Sequence, residues 1–338
     1  MIANERLATC MMCHEPCIAA CPVTQATHRH TTAPSRLAQA AFEAPHGRIA
    51  WQSIADTLYY CIHCNRCTAA CVYAEEPIYP GRMLLHLRQE MREEVAHPIA
   101  EAAERTAMPP PELPSGSSQM LLVLADRWAP AAESNVEAAI SVLSPARAVG
   151  YLVDLGWNLA LSGGRVHQHL GMVVERLNAW PGTVVAAFPR DVVWLNQIAA
   201  EFGVRFNRPV EYFATALDPA AIRHAPREAL RAYHPSAYLT HDLGTAEDIA
   251  ACIQAGGAMR WWKPGVVSPG PAPGISQAAL RAMSLSFWGD LSGEDFDAVI
   301  TDDPYIAQAL AEIARPDQRI WLVPEWLAYC EKGETVGA

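Results

Sequence analysis

Eight cysteines in two short runs are the residues of this sequence best suited to chemistry. The first run is Cys10, Cys13, Cys17 and Cys21, followed by Pro22; the second is Cys61, Cys64, Cys67 and Cys71. Thiolates are soft ligands for iron, and a cubane [4Fe–4S] cluster takes four of them. The second run keeps the C-x2-C-x2-C-x3-C spacing of such ligands throughout. The first departs by one residue, because His14, Glu15 and Pro16 separate Cys13 from Cys17. It keeps a proline after its last cysteine, where the second run has Val72. In two-cluster proteins of this spacing the fourth cysteine of a run ligates the other cluster. By that rule Cys10, Cys13, Cys17 and Cys71 hold one cluster, and Cys61, Cys64, Cys67 and Cys21 hold a second. Two [4Fe–4S] clusters are therefore the expected cofactors.

Other chemistries fit less well. Zinc sites use C-x2-C pairs, but a zinc ion takes four ligands without crowding all four into one short run. Cys10-Met-Met-Cys13-His14 matches the C-x2-C-H signature of covalent haem attachment. That attachment takes place outside the cytosol, the opening Met-Ile-Ala-Asn-Glu-Arg reads as no signal peptide, and six cysteines would be left unexplained. A chain of 338 residues has no need of a disulfide framework.

These cysteines need elements to position them. Ala33–Ala40 reads as a helix opened by a proline in its first turn, and Trp51–Tyr60 as a second helix leading into the second run. Pro80-Gly81 leads into an amphipathic helix, Arg82–Val95, with Met83, Leu84, Leu87 and Met91 on one face. Residues 1–107 thus form a helical cysteine domain. Residues 108–118, rich in Pro, Gly and Ser, form a linker.

Beyond it, strand-like apolar runs alternate with helical patterns, the sign of an α/β fold. Val184–Pro189 and Val299–Pro304 are each a strand running into a proline-started helix, at an offset of 115 residues, and Leu122–Asp126 aligns with Tyr238–Asp242 at an offset of 116. The pattern implies a duplicated unit over 119–232 and 233–338.

Composition bounds the rest. Half the residues are hydrophobic (51%), enough for real cores, and the length suits two or three domains. No apolar stretch reaches the roughly 18 residues that span a bilayer; Met120–Ala125 is strand-sized. The expected location is the cytoplasm, with peripheral contact at the inner membrane through partners left open. A net charge of −11 argues against a nucleic-acid footprint.

Several other residues invite a chemical reading and favour a plain one. Cys252 and Cys330 read as buried small hydrophobes. His14, His28, His30 and His63 lie near the cysteine loops, where a histidine could bond a cluster sulfur or ligate iron; with four cysteines per cluster, surface or packing roles are favoured. Ser162-Gly163-Gly164-Arg165 and Ala255-Gly256-Gly257-Ala258 match no phosphate loop and read as helix-ending turns. Trp261, Trp262, Trp321 and Trp326 read as core or interface. No catalytic residues are assigned.

Residues 7–95 resemble the helical two-cluster ferredoxin of a broad family. It includes the iron–sulfur subunits of glycolate oxidase, of lactate utilisation and of anaerobic glycerol-3-phosphate dehydrogenase, and subunits of heterodisulfide reductase. Pro34-Ser35-Arg36-Leu37 resembles the proline–arginine segment between their clusters. The second half resembles the same family's two cysteine-rich repeats with the cysteines lost. Gly156 and Trp157 stand where a cysteine pair would be, and Phe188-Pro189-Arg190-Asp191 where a C-P-x-C turn would be. In the second copy Asp303-Pro304-Tyr305-Ile306 replaces that turn and Ser268-Pro269-Gly270-Pro271 the pair, while Thr240–Gly244 resembles a segment that usually starts with cysteine. Asp191, Asp303, His241 and Asp242 could serve a harder metal, but nothing in the sequence gathers them.

The fold class expected is an α-helical two-cluster ferredoxin domain followed by an α/β region of two duplicated strand–helix units. The resemblance implies an electron-transfer subunit that relays single electrons from a flavoprotein dehydrogenase partner to a downstream acceptor. Two alternatives stay open: a catalytic subunit like heterodisulfide reductase, needing a site within 119–338, and a structural or assembly protein with non-redox clusters.

Overall fold

The computed structural model describes residues 4–13, 15–64, 66–72, 79–143, 146–217, 231–236, 238–254, 259–261 and 296–332. These residues form two compact units. One takes the chain up to Ala107 and adds the segment Gly156–Val166; the other begins at Met108, leaves out that segment, and takes the described residues from His167 onward.

The first unit is helical: α1 Asn4–Met12, α2 Cys17–Ala20, α3 Pro22–Thr27, α4 Pro34–Glu43, α5 Trp51–Leu58, α6 Arg66–Ala69, α7 Pro80–Glu94 and α8 Pro98–Thr106. Proline opens α3, α4, α7 and α8. It presets φ there and lacks an N–H that the first turn could not use. Met83, Leu84, Leu87 and Met91 of α7 are buried against Leu37, Ala41 and Leu58, as their spacing predicts. Arg88 shares that buried face.

Helix α9, Ala132–Leu143, belongs to the second unit, and the inserted segment carries α10, Trp157–Leu161. Gly156, in the left-handed region at φ +79°, starts α10, and Trp157 is buried. Gly163 N–H donates to Ala160 O and Gly164 N–H to Leu159 O. With Gly163 at φ +73°, this is the paired-bond helix stop that glycine permits, so the expected turn is present.

The second unit holds two parallel four-stranded sheets. β1 Leu121–Asp126, β2 Ala148–Val153, β3 Val184–Ala186 and β4 Glu211–Tyr212 run in the order β2-β1-β3-β4. β5 Arg231–His234, β6 Met259–Trp261, β7 Ala298–Thr301 and β8 Arg319–Leu322 repeat it as β6-β5-β7-β8. Leu122 pairs with Val184 as Ala232 pairs with Val299.

This register corrects the alignment of Leu122–Asp126 with Tyr238–Asp242: the counterpart of β1 is β5, and Tyr238–Leu243 is a helical turn. The strand was missed because Arg-Ala-Tyr-His lacks an apolar run, although all four residues are buried. The repeat boundary at 232/233 consequently falls inside β5. The 119–232 region also gives up Gly156–Val166 to the helical unit.

The 108–118 segment has no regular structure but packs within its unit. Tyr151 donates from its hydroxyl to Pro111 O at 2.7 Å. The strand-to-proline signature holds in both copies: β3 leads to the helix Pro189–Val193 and β7 to Pro304–Ala311. Arg190 and Tyr305, the second residues of these helices, stack with the guanidinium 4.7 Å from the ring centroid.

Candidate metal centre

Short helices and the loops between them carry all eight cysteines. Cys10 lies in α1, Cys13 just after it, Cys17 opens α2, and Cys21 links α2 to α3. Cys61 and Cys64 lie in the loop between α5 and α6, Cys67 is in α6, and Cys71 follows it.

Cys21, Cys61, Cys64 and Cys67 line one cavity, partly open to solvent and closed otherwise by residues such as Pro22, Pro34, Ile62, His63 and Leu84. The set is the crossed one: three thiols from the second run and the last from the first. The other four are also electrostatic neighbours. Burial, with Cys17, Cys13 and Cys71 close by, pushes the Cys10 thiol up to about 12. For Cys64, burial and then Cys21 push the thiol up to about 12. Burial first, and then Cys64, Cys61, Cys21 and Cys17, also raise the Cys67 thiol well above its ordinary value. Free thiols so placed resist ionisation, whereas a bound metal deprotonates its thiol ligands outright.

The backbone favours the sulfurs as anions. Glu15 N–H donates to Cys13 Sγ at 3.3 Å. Burial pushes Cys17 up to about 11 against the Ser35 N–H that bonds it, and Pro34 leaves Ser35 the first free donor of α4. Burial also raises Cys61 and Cys64, and the N–H groups of His63 and Arg66 respectively oppose it. Glu15 at φ +57° and His63 at φ +53° are non-glycine residues in the left-handed region. Each sits two residues after a cysteine and turns its N–H back to that sulfur, a conformation that marks a constrained loop. Among the described residues no three His, Cys, Asp or Glu side chains gather closely enough for a single metal ion.

A family model described as a 4Fe-4S dicluster domain matches residues 6–74, a span holding all eight cysteines. The chain is an iron–sulfur protein. No curated protein and no solved structure matches it. Four thiols around one cavity, with N–H donors aimed at sulfur, fit the 4Fe–4S cofactor that the match implies.

The remaining predicted residues separate clearly. His28 and His30 are exposed, while His63 is buried and packs. Burial and Arg88 hold the His63 imidazole well below its usual range, hence neutral. Cys252 and Cys330 are buried. Trp326 is buried and packs with Trp321, ring centroids 6.1 Å apart. Asp303 caps its helix through Tyr305 and Ile306 N–H. Asp191 lies beside Arg190 and accepts from Asp126 N–H at 3.0 Å. His14, Trp262, Ala255–Ala258, Ser268–Pro271 and the His241 side chain lie outside the described residues.

Sequence reasoning missed Arg88. The signal was available: an arginine one turn from Leu84 on the apolar face of α7, where a cation needs a reason to be.

Proposed function

We propose that this chain is the electron-relay subunit of a multi-subunit oxidoreductase, with two [4Fe–4S] clusters bound by Cys10, Cys13, Cys17 and Cys71 and by Cys21, Cys61, Cys64 and Cys67. It would take single electrons from a flavoprotein dehydrogenase partner and pass them to a second acceptor. The observation carrying this reading is the adjacency of the two thiol sets: Cys17 of one is an electrostatic neighbour of Cys21 and Cys67 of the other. When bound, such clusters supply one-electron redox chemistry.

The chain's own residues hold and tune them. Pro22, Pro34, Ile62 and Leu84 restrict water at the second site. The N–H groups of Glu15, Ser35, His63 and Arg66 stabilise charge on sulfur. Beside the first site Met12 is 85% exposed and Val72 62% exposed, next to Cys13 and Cys71. Apolar side chains turned outward there suit transient docking of a redox partner.

Within the second unit, Phe188, Arg190 and Trp194 are buried around the turn where the resemblance would place cysteines. This supports a scaffold there more than a catalytic metal site. Among the described residues no helix is long and apolar enough to cross a membrane; membrane contact would come through partners.

The test is anaerobic redox cycling of the purified chain. A relay takes up about one electron per cluster from a low-potential donor and returns it to a one-electron acceptor dye. Clusters that stay intact without cycling would replace the relay with a structural role.

A further inference from the structure

Arg88 is fully buried, at 0% exposure. Its Nε donates to Leu58 O at 3.1 Å and its Nη2 to Leu58 O at 2.5 Å and Cys61 O at 3.0 Å. Its Nη1 donates to Leu161 O at 2.6 Å and to His63 Nε2 at 2.8 Å. The face of Tyr59 lies 5.1 Å from the guanidinium. Every acceptor is neutral, and no carboxylate of a described residue pairs with it. Arginine stays protonated in proteins, and an uncompensated buried charge is strongly unfavourable. The fold therefore encloses a cation and leaves its counter-charge to be supplied.

The location names the supplier. Arg88 bonds the backbone of Cys61, and His63, whose Nε2 it bonds, lines the cavity of Cys21, Cys61, Cys64 and Cys67. Four thiolates bound to a cluster carry net negative charge, which grows by one on reduction. A fixed cation in a low-dielectric wall favours that reduced state.

We propose that Arg88 is the built-in counter-cation of the cluster held by Cys21, Cys61, Cys64 and Cys67, and that it raises this cluster's reduction potential relative to the other. The inference rests on the relay reading and deepens it: the cluster beside Arg88 is the electron sink of the pair, and Arg88 acts through charge, as a positioning and tuning residue. No comparable buried cation, free of carboxylates, faces Cys10, Cys13, Cys17 and Cys71 among the described residues; Arg36 nearby is exposed and pairs with Glu15 at 3.5 Å.

The experiment is an EPR-monitored redox titration of the full chain beside Arg88→Gln and Arg88→Lys, with iron counted in each. The Gln variant should lower one midpoint potential by at least tenfold in the one-electron equilibrium, about 59 mV, leaving the other in place. The Lys variant, which keeps the charge, should recover most of the shift. Should the Gln variant lose its iron at one site while the Lys variant keeps it at near-native potential, the charge role is equally supported. Retention of all iron with unmoved potentials in the Gln variant overturns the inference. So does equal loss of iron in both variants, which would make Arg88 a geometric clamp. Absence of any reducible cluster in the unaltered chain would bring down the relay reading itself.

Discussion

Arg88 in the helical unit and Arg190 in the α/β unit are both fully buried, and their surroundings differ in kind. Arg190 lies 3.6 Å from Asp191 and 4.0 Å from Asp126, with Tyr305 stacked on it. Its charge is balanced by side chains of its own unit. Arg88 has only carbonyls, a neutral imidazole and a ring. A buried ionic centre that closes on itself needs no cofactor; one left open beside four thiols calls for an anion to complete it. Charge balance thus separates these two arginines: the side chains of its own unit neutralise Arg190, and none among the described residues does so for Arg88.

The largest effect should come from the thiols. Cys64→Ala should cost the chain one cluster, about four irons, and Cys21→Ala should damage that same cluster. Cys71→Ala should damage the other. Iron counts with EPR spectra check this; a Cys21 variant that loses the cluster of Cys10 and Cys13 would refute the crossed pairing.

Next comes Arg190→Met, which strands Asp126 and Asp191. Breaking a buried ionic centre costs roughly 3–5 kcal/mol, so denaturant unfolding should show a loss of that order. Iron content and potentials should stay as they were, since this centre holds no cluster. A potential shift in this variant would erase the contrast between the two arginines.

A smaller loss is expected at Gly163. A Cβ there would lie 2.5 Å from the Arg88 carbonyl oxygen, at φ +73°. Gly163→Ala should destabilise the chain by roughly 1–3 kcal/mol, measurable by the same denaturation. An unchanged midpoint would show that the α10 stop does not constrain the α7 backbone.

The smallest effect is in pH dependence. Burial, with Asp303 beside it, pushes the Asp302 carboxyl up to about 7, although Ser236 N–H bonds it at 2.7 Å. The folded chain therefore holds this proton where the unfolded chain has released it. The group's contribution is fully favourable below the ordinary carboxylate range and is lost as pH rises to about 7. Asp302→Asn should flatten the decline of stability between pH 4 and 7, read from denaturation midpoints across that range. An unaltered slope would place the ionisation elsewhere.

The sequence made the cysteine runs legible because ligand spacing is local, and the family match falls on the same residues. The helices of the first unit were legible because proline starts and the period of Met83, Leu84, Leu87 and Met91 are local too. What escaped was long-range. β5 was hidden because a parallel strand buried on both faces can carry Arg231 and His234, so hydropathy passed over it in favour of Tyr238–Asp242. The transfer of Gly156–Val166 to the helical unit depends on Arg88 and Tyr59 donating to Leu161 O and Ser162 O, and no periodicity encodes such bonds. Arg88 showed only as an anomaly on an apolar face until its partners were in view.

The most direct test of the account is the metal content of the anaerobically purified chain, by iron and acid-labile sulfide analysis, with EPR after dithionite reduction. The account predicts about eight of each and two magnetically interacting [4Fe–4S]⁺ signals, as two adjacent cubanes require. Zinc in place of iron, or about four irons with a single isolated signal, would contradict it.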